Sequence, residues 1–336
     1  MKKLILAGDI GGTKTVLQIF ETDGSHYTSL YKQRYSSIEY AQFDVLLAAF
    51  LREAQSSIKK HVITAACLGI AGTINGRQAQ VTNLPWLIDA EALQQQFAMT
   101  HLELINDFAA IGYGLGRLQQ DDFYVLQTGS PLAMATRAAI GAGTGLGEGY
   151  LVWQGDQYIP LPSEGGHSDF APQNEIQHDL LRYLQNRYDH VSYERVVSGN
   201  GLINIYNFLT DTHQASEILQ QELKQSADHA AIITAYAVEN KDAVAVQALN
   251  IFIECYGAQA GNLALTCLAR GGVYIAGGIA PKILQRLQRG DFMQAFCNKG
   301  RFSALMQTIP VSVVLNTDVA LHGAADRALR LNQDYS

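Results

Sequence analysis

The 336-residue chain lacks most of what would mark a membrane, metal-stapled or nucleic-acid-binding protein. It has only four cysteines, Cys67, Cys255, Cys267 and Cys297, with no CxxC spacing and each in an apolar stretch. They read as reduced, buried thiols of a cytoplasmic protein. The histidines form no HExxH pattern and no Cys/His cluster, so no structural zinc is expected. No run approaches the ~18 apolar residues of a membrane span. Two lysines ahead of an apolar segment imitate a secretory leader, but residues 4–7 fall short of the ~7–15 apolar residues such a leader needs. Residues 4–9 read instead as a buried strand. Charged residues make up only 16%, with 24 Lys and Arg against 31 Asp and Glu, a net charge of −7. That balance argues against nucleic acid as a partner. Proline is scarce, at seven, and no Pro/Ser linker divides the chain, so any two lobes are expected to be closely joined.

What the chain does have is ordinary hydrophobicity, 48%, and 30 glycines. Its length suggests two domains or one large α/β unit. Strands are expected at 4–9, 15–20, 65–70 and 101–106, with helices over 40–58, 88–97 and 108–118. A second cycle begins near residue 120, with strands at 138–140, 149–153, 273–276 and 311–315. Its helices are expected over 174–188, 201–211, 215–226, 230–238, 243–268 and 279–288, and a closing helix over 319–331. This alternation indicates a layered α/β fold.

The glycines gather at strand ends: Gly8-Asp9-Ile10-Gly11-Gly12-Thr13, then Gly141-Ala142-Gly143-Thr144-Gly145-Leu146-Gly147, then Gly271-Gly272 and Gly277-Gly278. Neither common nucleotide-binding template fits. A P-loop needs glycine before its lysine, and Thr13 precedes Lys14; a dinucleotide fingerprint needs glycine where Leu146 stands. What remains is a pair of strand–glycine turn–strand hairpins, one opening each half. Such turns often do no more than join strands. Two of them, each with a threonine and the first with an acid, point to backbone amides that cradle phosphate.

These two turns resemble the phosphate loops of the sugar-kinase, heat-shock and actin superfamily. Four further segments resemble bacterial glucokinases and occur in that family's order: Leu104-Ile105-Asn106-Asp107-Phe108, Glu164-Gly165-Gly166-His167-Ser168-Asp169-Phe170, His190 through Gly199, and Gly271 through Ile279. The related repressor–ORF–kinase family shares the first loop but carries a Cys-rich zinc motif that is absent here, which favours the zinc-free glucokinases. The resemblance implies a two-lobed, actin-like (ribonuclease H-like) ATPase fold of the α/β class with an interlobe cleft that closes on sugar. The smaller lobe would be 1–117 plus 315–336, and the larger 118–314. It also implies ATP-dependent phosphorylation of glucose with Mg²⁺, in a cytoplasmic homodimer that binds neither nucleic acid nor membrane.

Phosphoryl transfer needs a positioned nucleophile, a base beside it, and donors for the phosphate charge. Asn106-Asp107, at a strand end before a helix, reads on its own as a helix cap; the resemblance implies that Asp107 is the general base for the sugar hydroxyl. By the same resemblance Asn106, Glu164, His167 and Glu194 contact sugar. Taken singly, Glu164 and His167 read as solvated loop residues and Glu194 as a first-turn helix acid. Asp9 would hold Mg²⁺ through water, with Gly8, Ile10, Gly11, Gly12 and Thr13 around the transferred phosphate. Gly143, Thr144 and Gly145 would meet the other phosphates, and Gly277 and Gly278 the adenosine. Lys14 reads as a surface lysine, Asn83 as a shaper of the sugar pocket, and Trp86 as a core packer. The alternatives are a kinase for another hexose or an N-acetylated amino sugar, or a non-catalytic sugar sensor.

Overall fold

Two glycine turns each fold a pair of antiparallel strands back on themselves, and each pair seeds a sheet. The computed structural model describes residues 3–23, 26–58, 62–211 and 215–334. The chain divides into two units, one of Met1–Gln119, Tyr158–Pro162 and Asp318–Ser336, the other of Gln120–Gln157 and Ser163–Thr317.

The first unit runs β1 (Lys3–Ile10), β2 (Lys14–Thr22), β3 (Tyr27–Ser36), α1 (Phe43–Ile58), β4 (Ile63–Ile70), β5 (Gly72–Asn75), β6 (Gln78–Val81), β7 (Leu87–Asp89), α2 (Ala90–Gln96), β8 (His101–Asn106) and α3 (Asp107–Leu115). The chain continues through β9 (Phe123–Gln127), β10 (Arg137–Ala142), β11 (Leu146–Gln154), β12 (Gln157–Ser163), α4 (Glu175–Gln185), α5 (Gly199–Thr210), α6 (Glu217–Gln225), α7 (His229–Val238) and α8 (Ala243–Thr266). It ends with β13 (Gly272–Ala276), α9 (Leu284–Leu287), α10 (Asp291–Cys297), α11 (Ser303–Met306), β14 (Val311–Val314) and α12 (Val319–Asp334), the last belonging to the first unit.

Strand order repeats between the sheets. One is ordered β3-β2-β1-β4-β8 and the other β12-β11-β10-β13-β14-β9. In each, a glycine-turn hairpin is antiparallel (β1 with β2, β10 with β11), and its first strand is then flanked by parallel strands. Parallel neighbours bury both faces, so these strands carry near-continuous apolar runs: Leu4 to Ala7 in β1 and Ala65 to Leu68 in β4 are all almost fully buried. Register aligns the carboxyl ends. Asp9 lies opposite Gly69, and Ile70 opposite Asn106. In the second sheet Gly141 lies opposite both Gly147 and Ala276.

In the first unit α12 packs on β1, β4 and α3, and glycine sets how closely. A Cβ at Gly323 would run into the Ala110 carbonyl oxygen, and one at Gly114 into that of Val319. In the second, α8 is buried along most of its length at the centre of the core. Among the described residues, no helix is long and apolar enough to cross a membrane.

Several expectations are corrected. Residues 88 and 89 end strand β7, paired with β6, instead of starting a helix, because Asp89 caps α2 through its carboxylate. The helix expected over 279–288 is a 3-10 turn, Ala280–Ile283, followed by one turn of α9. Strand β3 went unread because its faces are largely exposed, which leaves little alternation to detect. All four cysteines are free thiols, but only Cys67 and Cys255 are buried; Cys267 and Cys297 are half-buried.

The α3–α12 contact sets two effects against each other at Gly323. Alanine in a helix gains about 1 kcal/mol over glycine, whereas overpacking typically costs ~1–3 kcal/mol, more against backbone. Gly323→Ala is therefore expected to lower the urea midpoint with an unchanged slope; an unchanged or raised midpoint contradicts this close approach.

Candidate active site

The first unit places Asp9 and Asn106-Asp107 at the carboxyl ends of β1 and β8, on either side of β4, where ligands meet α/β sheets. Asn106 is a true helix cap: its Oδ1 accepts from the amides of Phe108 (2.9 Å) and Ala109 (3.3 Å). Its side-chain NH₂ remains a donor for a ligand hydroxyl. Asp107 opens α3, half-buried, with Oδ1 accepting from the Phe108 amide at 2.9 Å. The cap and the acid are thus two readings of one dipeptide, each borne by a different residue.

The turn after β1 is closed by the Gly11 amide donating to the Lys14 carbonyl (2.9 Å) and is strapped by Ser37, whose hydroxyl donates to the Gly11 carbonyl (2.8 Å). Gly12 leaves room for Thr82, whose carbonyl would lie 2.6 Å from a Cβ there. Asn83, next to it, has a φ of +63°, a conformation asparagine tolerates better than most residues. Lys14 is exposed, and Trp86 is buried with its indole NH donating to the Tyr40 carbonyl. Burial raises the Asp9 carboxyl above the usual range; Lys14 opposes this and Asp318 adds to it. Among the described residues no three His, Cys, Asp or Glu side chains converge as a metal cage. A lone turn carboxylate suits Mg²⁺, which keeps its waters and binds through one or two carboxylates plus substrate phosphate.

The second unit gathers the remaining candidates around the second turn. The Gly143 amide donates to the Gly145 carbonyl and the Gly199 amide to the Gly143 carbonyl, both at 2.8 Å. The amino end of α5, capped by Ser198, therefore abuts this turn with its partial positive charge. Gly277 (φ +82°) packs on it from the other side, and a Cβ there would meet the Ala142 carbonyl at 2.6 Å. Gly278 has open space around its α-carbon. Glu194 binds the turn directly, its Oε2 accepting from the Leu146 amide at 2.9 Å. It lies in a 3-10 turn, Tyr193–Arg195, and not in an α-helix.

Glu164 and His167 bracket another 3-10 turn, Gly165–His167, with side chains 86% and 59% exposed and their tips 4.0 Å apart. This turn is stapled to the Glu194 turn by an Asp169–Ser192 bridge. Two backbone bonds of 3.0 Å reinforce the staple, from the Phe170 amide to Val191 and from the Tyr193 amide to Ser168. Glu164, His167 and Glu194, some thirty residues apart in sequence, thus stand on adjoining turns. Sequence reading missed Ser37, which straps the first turn, and the amino end of α5. The second carried a signal, since Ser198 before Gly199 and an apolar helix is a capping pattern; Ser37 carried none.

Asp9 gives a test of its burial. Because its pKa is raised, its stabilising contribution is full below the unfolded carboxyl pKa and is lost as pH rises through the higher folded value. Without ligand at neutral pH, Asp9→Asn is expected to raise the melting temperature, and the gain should shrink in acid. A variant less stable than the parent at neutral pH contradicts this.

Residues 6–331 match the glucokinase family. A glucokinase from Nostoc punctiforme is 47% identical over 98% of this chain and 99% of its own. Among solved structures, a glucokinase from an Antarctic psychrotroph superposes with a TM-score of 0.81 at 31% identity, covering 98% of this chain and 99% of that one. A ROK family glucokinase from Streptomyces griseus, solved in complex with glucose and AMPPNP, shares the fold with a TM-score of 0.66 at 19% identity, over 97% and 99% of the chains.

Proposed function

The chain belongs to the glucokinase family, with the actin-like ATPase fold, and we infer that it transfers the γ-phosphoryl group of ATP to the primary hydroxyl of glucose. The observation that carries the assignment of roles is Asp107, a half-buried carboxylate at the start of α3 beside the Asn106 cap. Asp107 accepts the proton of the sugar hydroxyl as that oxygen attacks phosphorus, help typically worth ~10²–10⁴-fold in rate. The Asn106 amide donates to a neighbouring sugar oxygen while its carbonyl stays on the helix. Glu164, His167 and the free Oε1 of Glu194 take the remaining hydroxyls. A carboxylate accepts from two vicinal hydroxyls, and leaving such a partner unpaired is what rejects an analogue lacking one of them.

Backbone amides of Gly12 and Thr13 face the transferred phosphate, and those of Thr144 and Gly145, with the amino end of α5, the other phosphates, while the Gly11 and Gly143 amides close the two turns that present them. Gly8 and Ile10 hold the Asp9 turn in register, and Gly277 and Gly278 leave space for the adenosine. Mg²⁺, held by Asp9 through water, would neutralise phosphate charge. The reading extends to a cytoplasmic homodimer, for which sedimentation at twice the chain mass is the check.

A coupled assay with Mg-ATP over glucose, mannose, N-acetylglucosamine and N-acetylmannosamine tests the substrate. Glucose is expected to give the highest kcat/KM; any of the others ranking above it overturns the choice. Glu164→Gln removes one charged acceptor, worth ~1.5–3 kcal/mol, and should raise the glucose KM about tenfold or more while leaving the ATP KM near the parent value.

A further inference from the structure

One buried acid takes no part in the reaction described above. Glu148 lies on β11, just past the second glycine turn, and is 2% exposed. Its Oε2 faces Gly165 so closely that a Cβ there would collide with it. The next glycine, Gly166, is held as tightly against the Leu146 carbonyl. The first residues of β11 therefore form the floor beneath the turn that carries Glu164 and His167.

The other carboxyl oxygen begins a polar relay through an otherwise apolar core. Gln259, 4% exposed on α8, donates from Nε2 to Glu148 Oε1 at 2.8 Å. One turn along α8, Asn262 Nδ2 is 3.1 Å from Gln259 Oε1 and 3.2 Å from the Tyr193 hydroxyl. Lys299 closes the line, its ammonium donating to Asn262 Oδ1 (2.8 Å) and to the Ala258 carbonyl (2.9 Å). Along the line Lys299–Asn262–Gln259–Glu148 every donor points toward Glu148, an arrangement in which hydrogen bonds reinforce one another. Tyr193 is the neighbour of Glu194 in the sequence, so the relay reaches both turns of the candidate sugar site.

We propose that Glu148 is a positioning residue for hexose recognition. It seats the Gly165–His167 turn directly and the Glu194 turn through Gln259, Asn262 and Tyr193, so that three sugar contacts stay in register with the phosphate turn on the same strand. This rests on the reading of Glu164, His167 and Glu194 as sugar contacts. A buried polar group with no stabilising task is a net cost, and Glu148 has no cation within its own hydrogen bonds.

The protonation state follows from burial. Desolvation pushes the Glu148 carboxyl up to about 7, with the Gln259 bond pulling the other way. The titratable groups that sense its charge are Tyr193, Tyr256 and Cys267, all with pKa values raised by burial and so neutral near pH 7. Lys299, lowered by burial to about 8, stands two amides away, and Glu164 and His167 lie on the turn above. Glu148 is thus neutral below about pH 7 and becomes a buried anion above it. The neutral form is the one that seats the turn.

The test is glucose binding to the full chain without ATP, measured by calorimetry at about pH 6 and about pH 8.5, with melting curves to verify folding. The parent should lose affinity about fivefold or more at the higher pH, whereas Glu148→Gln, neutral throughout and still an acceptor for Gln259, should bind near the parent's low-pH affinity at both. Glu148→Leu, if it folds, should raise the glucose KM several-fold with kcat and the ATP KM little changed. If Glu164→Gln weakens glucose binding but Glu148→Gln keeps the parent's pH dependence, the proposal is overturned. If the parent binds no glucose, or Glu164→Gln binds it normally, the sugar-site reading fails and this inference with it.

Discussion

Much of the first unit depends on the closeness with which α3 can lie to the elements around it. Its first residue is Asp107, and its depth is set by missing side chains: Gly114 and Gly323 let α3 and α12 meet backbone to backbone. On the other side, a Cβ at Gly69 of β4 would come within 3.0 Å of Ala110 Cβ and 4.0 Å of Asp107 Cα. A methyl group at these contacts would displace the helix and the carboxylate it carries. Under the role proposed for Asp107, displacement matters because an error of about 1 Å in a reacting group can cost ~10²-fold in rate. The Asn106 cap then ties the amino end of α3 to the carboxyl end of β8. Stability and chemistry here make the same demand on the backbone.

In the second unit the comparable constraint is electrostatic. Two carboxyls serve one strand from different depths. Glu194 is half-buried and fixed by the Leu146 amide; Glu148 is buried two residues past Leu146 and is neutral up to about pH 7. Between them, β11 supports the second glycine turn at its start and the turns carrying Glu164, His167 and Glu194 against its side. Glycine again permits the packing, at Gly145 against Glu194, Gly165 against Glu148 and Gly166 against Leu146. Part of the chain's glycine is thus accounted for by side chains omitted where turns pack on strands.

The sequence showed the strands of both hairpins because apolar residues flank each glycine turn on both sides. It showed the long α8 because its apolar residues extend over six turns. It did not show β3, whose few core-facing residues are set among exposed polar ones, or the short α10 and α11, whose few residues carry too little periodicity. Boundaries moved where a side chain competed for the backbone, as Asp89 did for α2. The candidate residues were found through motif resemblance, since Glu164 and His167 taken alone look like any solvated pair. What no motif carried was the relay beneath them. Its members come from β11, α8 and the segments around Tyr193 and Lys299, far apart in the chain, and only folding brings them together.

The central claim is that Asp107 acts on the proton of the sugar hydroxyl and does little to hold the sugar. The direct measurement is a comparison of Asp107→Asn with the parent, reading glucose affinity by calorimetry and turnover with Mg-ATP at neutral pH. The account predicts affinity within about threefold of the parent and turnover lower by ~10² or more. Turnover close to that of the parent would contradict it.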